Sequence, residues 1–326
     1  MTPLPEKAPS IAIVKLLRDL KNLNERSRRG AVAIGNFDGV HLGHARIVER
    51  VIEKARRVGG PAVVFTFDPH PVRLLRPEHA PPPLTWTDRK ADLLNTLGID
   101  LVIAYPTDQE LLALEPRDFF DRIVREQLDA RAMVEGPNFY FGRARAGTID
   151  VLRSLCVEAG IPLDIVEPVT VDGQLVSSSR IRQLLAAGDV ATARAMLTEP
   201  YRIRGMVVHG AGRGLKLGIG TANLDAIDTL LPGPGVYAGR GWAGGRLWPA
   251  AINIGPNPTF GEAAMKVEVH LIGWDDSPLY GQPLEVDFLV RLRNIHPFAG
   301  IDALKEQLAK DIAAARQAFE AYGAAR

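Results

Sequence analysis

The stretch Ala31-Val-Ala-Ile-Gly-Asn-Phe-Asp-Gly-Val-His-Leu-Gly-His44 decides the reading of this chain. An apolar run ends at Gly35 and a turn follows. His41 and His44 then stand three residues apart, where Ile47, Val48, Val51, Ile52 and Ala55 mark out an amphipathic helical stripe. Strand, turn and helix in that order place unpaired backbone N–H groups and the positive end of a helix dipole beside two imidazoles. Such a setting suits the phosphates of a nucleotide. Gly43, between the histidines, carries no Cβ, so a phosphate or ribose can approach the backbone closely. The chemistry that fits is nucleotidyl transfer, in which a nucleophile attacks the α-phosphate of a nucleoside triphosphate and pyrophosphate leaves. Zinc is the weaker alternative, because Cys156 is the single thiol and no third histidine or paired carboxylate lies close in sequence.

Working outward, candidate strands at 32–35, 62–66, 101–105, 132–135 and 163–166 alternate with candidate helices at 43–58, 87–97, 116–128 and 148–159. Alternation of this kind requires crossover connections and a parallel sheet covered on both faces, with ligands at the carboxyl ends of the strands. The Pro-rich stretch 76–84 reads as a loop. Two short helices, 178–187 and 189–197, follow it, and then the period changes. Apolar segments at 201–208, 235–239, 249–254, 266–271 and 284–291, separated by Gly and Pro turns, predict an antiparallel barrel or sandwich. Ile301, Leu304, Leu308, Ile312, Ala315, Phe319 and Tyr322 form the stripe of a closing helix that packs on it. The expected division is 1–186 and 187–326.

A chain of 326 residues accommodates two domains. Its 39 basic and 38 acidic residues nearly cancel, which argues against nucleic-acid or anionic-membrane partners. One cysteine excludes an internal disulfide and fits a reducing compartment. With no secretory leader or membrane-length apolar run, the expectation is a cytoplasmic protein.

Further candidate residues fall after the predicted strands. Asp68, in Thr66-Phe-Asp-Pro-His70, lies at the same sheet edge as His41. In Glu135-Gly-Pro-Asn-Phe-Tyr-Phe-Gly142, Asn138 offers a neutral polar contact, while Phe139 and Phe141 suit either stacking on a planar ring or core packing. Val176-Ser-Ser-Ser-Arg-Ile-Arg182 opens a helix with hydroxyls and fixed positive charge, a pattern for phosphate or for an ordinary N-cap. In the second half, the loop 210–224 contains Gly214 and Gly218, whose backbone N–H groups can face polyphosphate, then Thr221 and Asn223, hard oxygen donors for Mg2+. It lacks the Gly-Lys-Ser/Thr order of a Walker loop. Glu268 alternates with Val267 and Val269 and is a candidate general base.

Taken together these motifs make the chain resemble the bacterial bifunctional riboflavin kinase/FMN adenylyltransferase (FAD synthetase) family, from about residue 30 to the C-terminal helix. The carrying motifs are Phe37-Asp-Gly-Val-His-Leu-Gly-His44, Ser177-Ser-Ser-Arg-Ile-Arg182, Gly220-Thr-Ala-Asn223, Asn253-Ile-Gly-Pro-Asn-Pro-Thr-Phe260, and Glu268 ahead of Leu279-Tyr-Gly281. The resemblance implies a Rossmann-like nucleotidyltransferase domain of α/β class, followed by an antiparallel β-barrel riboflavin kinase domain with a C-terminal helix. It implies riboflavin, FMN and FAD as substrates and products, ATP as co-substrate, Mg2+ as cofactor, and delivery of finished flavin to apoflavoproteins. His41, His44 and Glu268 are implied as catalytic. Gly35, Phe37, Gly43, Ser178, Ser179, Arg182, Gly214 and Gly218 are implied at ATP, Asp68, Asn138 and Phe139 at flavin, and Thr221 and Asn223 at the metal.

The chain also departs from the family pattern. Ser179 stands where Thr is usual, Leu175 and Leu215 where relatives carry Arg, and Gly220 where the family has Pro. A glycine leaves the backbone ahead of the metal ligands free, at about 0.4–1 kcal/mol of ordering. This frames an alternative: adenylyl transfer in the first half beside a kinase half that binds flavin but is weakened or inactive. Two more distant rivals are a nucleotidyltransferase for another phosphate ester and a flavin-binding sensor without turnover.

Overall fold

Short runs of Val, Ile, Leu and Ala build a six-stranded parallel sheet in the first half of the molecule. The strands are β1 (Leu16–Leu17), β2 (Ala31–Ile34), β3 (Ala62–Asp68), β4 (Leu101–Pro106), β5 (Ala132–Glu135) and β6 (Leu163–Ile165), in the order β1-β4-β3-β2-β5-β6. All neighbouring pairs are parallel. The computed structural model describes residues 16–210, 219–257, 262–275 and 277–324. Both faces of the sheet are covered, which is why β2 is buried at every residue and reads as a continuous apolar run. One face packs Ile34, Phe65, Met133, Leu152 and Cys156 together, and the other packs Ala33, Val48, Val51, Val64 and Leu94. From β2 the chain builds β3 and β4 to one side, then returns to add β5 and β6 on the other. In sheets of this kind the ligand crevice lies where the strand order reverses, here at the carboxyl ends of β2 and β5.

The helices of this part are α1 (Leu42–Val58), α2 (Val72–Leu75), α3 (Thr87–Thr96), α4 (Gln109–Ala113), α5 (Pro116–Phe119) and α6 (Ile149–Ala159). The single helix expected at 116–128 is α5 followed by a π-helical stretch, Phe120–Gln127. Phe119, Phe120, Ile123 and Val124 remain buried across the change of pitch.

The second part begins with a small hairpin, β7 (Thr170–Val171) and β8 (Gln174–Leu175), then α7 (Ser178–Ala186) and α8 (Val190–Met196). Six strands follow: β9 (Arg202–Val208), β10 (Ala222–Asp225), β11 (Gly235–Ala243), β12 (Arg246–Asn257), β13 (Glu262–Leu271) and β14 (Pro283–Arg293). They close into an antiparallel barrel in the order β10-β13-β12-β11-β14-β9. The barrel alternative of the sequence reading therefore holds over the sandwich. β10 escaped the pattern because Ala-Asn-Leu-Asp is short and poor in strand-forming residues; pairing with both β9 and β13 makes it a strand. The closing helix α9 (Ile301–Ala324) packs through Ile312, Ala315 and Ala318 on Ala238, Ala251, Val290 and Ile272. Ile301, at the start of the expected stripe, is exposed.

Described residues up to Ala80 form one compact unit with Thr87–Val169, and Pro81–Trp86 join the residues from Thr170 onward in the other. This places α7 with the barrel together with α8, which packs against β14, whereas the expected division at 186/187 left α7 in the first part. Part of the Pro-rich loop is likewise ordered by the second unit. Leu230 N–H donates to the Pro83 carbonyl at 2.9 Å, Arg182 Nε to the Pro82 carbonyl at 2.9 Å, and Leu84 is fully buried.

On adjacent strands β11, β14 and β9, the register aligns Arg240, Asp287 and Arg202 in one row. Asp287 is completely buried and takes Arg240 Nε at 2.6 Å and Arg202 Nη2 at 3.0 Å. The Arg240 guanidinium lies 4.8 Å from the centre of the Tyr322 ring on α9. Glu285 takes Arg202 Nη1 at 2.8 Å and Glu199 lies 3.8 Å from Arg240, but Asp287 is the carboxylate the two buried cations share. Asp287→Ala should cost about 3–5 kcal/mol, read as a lower urea midpoint for the barrel transition.

Candidate active sites

In the first unit the link from β2 to α1 is under backbone strain. Phe37, Gly39 and Val40 have φ of 46°, 84° and 40°. A β-branched residue is strongly disfavoured in that left-handed region, and the conformation persists because Val40 and Phe37 are buried. A Cβ on Gly35 would lie 3.2 Å from the Phe37 ring, so a side chain there would crowd the turn.

The turn delivers His41 as the N-cap of α1, where its Nδ1 accepts the His44 backbone N–H at 3.3 Å. Gly43 lies in the first helical turn between them. The two imidazoles stack with centroids 3.6 Å apart and planes 14° from parallel, and Phe37 lies 4.9 Å from His44. Burial lowers the His41 pKa to about 4, against an opposing pull from Asp38. Burial, then His41 and Lys90, push His44 well below its ordinary value. Both rings are therefore neutral at pH 7 and act as hydrogen-bonding groups. His44 Nδ1 is buried without a hydrogen-bond partner, a polar atom that a ligand oxygen would satisfy.

Lys90, which the sequence reading missed, belongs to this edge. It is buried on α3, its Nζ 3.4 Å from Thr66 Oγ1. Desolvation lowers its pKa, while the nearby carboxylates of Asp38 and Asp68 oppose that shift. The available signal was a lysine on the same helical stripe as Ala91 and Leu94. Asp68 is oriented by Thr87 Oγ1 at 2.7 Å and Arg18 at 3.4 Å. Asn138 is exposed on the loop after β5. Phe139 follows its core-packing alternative, stacking on Phe141 with centroids 5.4 Å apart, whereas Tyr140 is exposed with the Arg145 guanidinium 4.4 Å from its ring centre.

The serine-rich turn belongs to the second unit. Ser177 caps α7 by accepting the Arg180 N–H at 3.2 Å, Ser178 opens the helix and Ser179 is exposed. Arg180 is taken up by Gln174, at 2.8 and 3.0 Å, and Arg182 donates to the Pro82 carbonyl.

On the barrel, register brings the kinase-type motifs together. Asn223 on β10 and Asn253 on β12 are both paired with Glu268 on β13. Asn253 Nδ2 lies 3.5 Å from the Glu268 carboxylate. Val267, Val269 and Leu271 are buried while Glu268 is only partly so, as expected of a strand that alternates between core and outer face. A Cβ on Gly210 would fall 2.1 Å from Asn223 Nδ2, so the bare glycine leaves room for that amide. His270 Nδ1–H donates to the Gly220 carbonyl at 2.7 Å, tying the start of the Thr221–Asn223 segment to the strand of Glu268. Thr221 and Asn223 supply two neutral oxygens, donors that fit Mg2+ sharing its shell with phosphate and water, with the Glu268 carboxylate on the adjacent strand. Gly214 and Gly218, and Leu215 between them, lie outside the described residues.

Because His41 titrates near 4 in the folded chain and near 6.5 when unfolded, the unfolded state binds the extra proton between those values. Stability is therefore lost as pH falls from about 6.5 to 4, by roughly 3 kcal/mol from this group. Urea unfolding at stepped pH should show that slope, and His41→Gln should reduce it, leaving the part of the slope that His44 contributes.

Residues 23–180 match the FAD synthetase family and residues 197–319 the riboflavin kinase family. A bifunctional riboflavin kinase/FMN adenylyltransferase from Pseudomonas fluorescens is 37% identical over 304 residues, covering 93% of this chain and 97% of that protein. Its namesake from Escherichia coli K12 is 33% identical over 308 residues, covering 94% and 98%. A crystal structure described as a macrolide-efflux protein from Streptococcus pneumoniae superposes with a TM-score of 0.81 at 28% identity, covering 92% of this chain and 98% of that one. Among the described residues no helix is long and apolar enough to cross a membrane. With both halves matched in order and nearly the whole length covered, the chain belongs to the bifunctional riboflavin kinase/FMN adenylyltransferase family.

Proposed function

We propose that this chain phosphorylates riboflavin to FMN on the barrel and adenylylates FMN to FAD at the carboxyl edge of the parallel sheet, using Mg-ATP in both steps. The observation that carries the reading is the presence of both phosphate-handling constellations in one chain whose two halves match the two corresponding families.

In the first step the Glu268 carboxylate takes the proton of the ribityl 5′-hydroxyl as that oxygen attacks the γ-phosphorus of ATP, and ADP leaves. Asn253, 3.5 Å from the carboxylate, helps to orient it. Thr221 and Asn223 would hold Mg2+, and the ion when bound would neutralise charge on the ATP phosphates.

In the second step a phosphate oxygen of FMN attacks the α-phosphorus of ATP, and pyrophosphate leaves. His41 and His44 act as neutral hydrogen-bond donors to the oxygens on which charge builds. Lys90 adds positive charge, and Gly35, Phe37 and Gly43 shape the turn that admits the nucleotide. Asp68 and Asn138 contact the flavin substrate, and Phe139 supports their loop from the core side. Finished FAD passes to apoflavoproteins.

Incubation with riboflavin and Mg-ATP, followed by chromatographic separation of flavins, should yield FMN and then FAD. FAD formed only from supplied FMN would remove the kinase half of the reading. Glu268→Gln should slow FMN formation by about 10²–10⁴-fold and leave adenylylation of supplied FMN unchanged. His44→Ala should show the opposite pattern, with adenylylation down about 10²-fold or more. The Gly220 carbonyl is the acceptor for His270, and a proline at 220 would keep that carbonyl. Gly220→Pro should lower the KM for ATP in FMN formation by about two- to fivefold, the factor corresponding to the ordering free energy of one such residue.

A further inference from the structure

We infer that Glu135 is a positioning residue for adenylyl transfer, its buried carboxyl group setting the gap between β2 and β5 from which the His41 turn and the Asn138 loop emerge. The inference rests on the reading of that crevice given above.

In a parallel ladder the N–H groups of one strand alternate between its two neighbours. Ala31 N–H goes to Pro61 O and Gly35 N–H to Phe65 O, each at 3.0 Å, so the odd residues of β2 face β3. Ile34 N–H therefore faces β5. Pairing between β2 and β5 ends at Val32 and Met133, two residues too early to supply a backbone acceptor for it. The Glu135 carboxyl takes that place, accepting Ile34 N–H at 2.8 Å while only 2% exposed.

The other edge of β5 stays closed. Glu135 pairs with Ile165 of β6, and its carbonyl accepts Val166 N–H at 2.8 Å. β5 is thus anchored on one side and held off β2 by a side chain on the other. Met133, two residues earlier and on the same face, meets Cys156 of α6 at 3.9 Å, which fixes the face Glu135 must occupy. Burial pushes the carboxyl well above its ordinary value, against the pull of the Ile34 N–H.

The strut stands at the root of both loops. Gly35 and the strained turn to His41 follow Ile34 directly, and Gly136-Pro-Asn138 follows Glu135. An apolar residue at 135 would leave Ile34 N–H without its acceptor, and the strand ends would shift to find another. A glutamine would keep a carbonyl oxygen at the same reach.

The test uses the full chain carrying Glu135→Gln or Glu135→Met, two side chains of similar length of which only the first can accept this bond. Steady-state adenylylation of FMN, riboflavin phosphorylation by the same preparation, and amide exchange at Ile34 are measured together. The expected result is a Gln variant within threefold of the parent kcat, and a Met variant at least tenfold lower in adenylylation kcat with KM for ATP and FMN within threefold. Phosphorylation should stay within twofold in both, and Ile34 exchange should accelerate only in Met. A Met variant that adenylylates at the parent rate overturns the inference, as does a Gln variant as impaired as Met. If the Met variant does not fold, a Gln variant with parent kcat and unchanged Ile34 protection supports the inference, and a tenfold loss in Gln overturns it. The His44→Ala measurement tests the site itself, so a failure there is distinguishable from a failure here.

Discussion

A backbone N–H in the middle of a sheet has to find an acceptor, and in the first unit that requirement governs how β2 parts from β5. β2 stays paired to β3 beyond its last assigned residue, through Gly35. It parts from β5 after Val32, and a side-chain carboxyl accepts the next N–H facing that way. Had the ladder continued, the loops after β2 and β5 would start from closed, adjacent strands. Because it stops, the chain turns sharply through Phe37 to Val40 and starts α1 with an imidazole as its cap. Parted strands, strained turn and capping histidine follow one another at a single interruption in hydrogen bonding.

The second unit solves the corresponding problem by the opposite means. Its six strands close on themselves, so no ladder is interrupted to make room. The polar groups lie instead in register across the outer face: Asn223, Glu268 and Asn253 in one row, Arg240, Asp287 and Arg202 in another. The first row is partly open to solvent and carries the donors suited to a metal and a proton. The second is buried and neutralised internally, with Tyr322 of the closing helix over Arg240. Similar chemical building blocks thus serve reaction in one place and cohesion in another, and burial separates the two roles.

Much of this was readable from residue spacing. Five of the six parallel strands and the helix after the histidines follow from apolar runs broken by turns, because both faces of the sheet are covered. Asn223 and Glu268 were found as motif residues, although β10 itself was not, since only its partners make Ala-Asn-Leu-Asp a strand. Two-residue β1 carried too little pattern to see. Lys90 and Glu135 were hidden for a different reason: each is charged in type yet buried among apolar neighbours, and spacing alone reads such residues as surface. Phe139 could be placed only by its contact with Phe141. The boundary between units could not be drawn from helical periodicity, because α7 and α8 resemble the helices before them while packing with the strands after them.

The contact between His270 and the Gly220 carbonyl joins two positions fifty residues apart in sequence. A glycine imposes little on the path of its own backbone, so here that path is steadied from across the barrel by an imidazole. A change at 270 would be felt first at 220, and through it by the residues that follow.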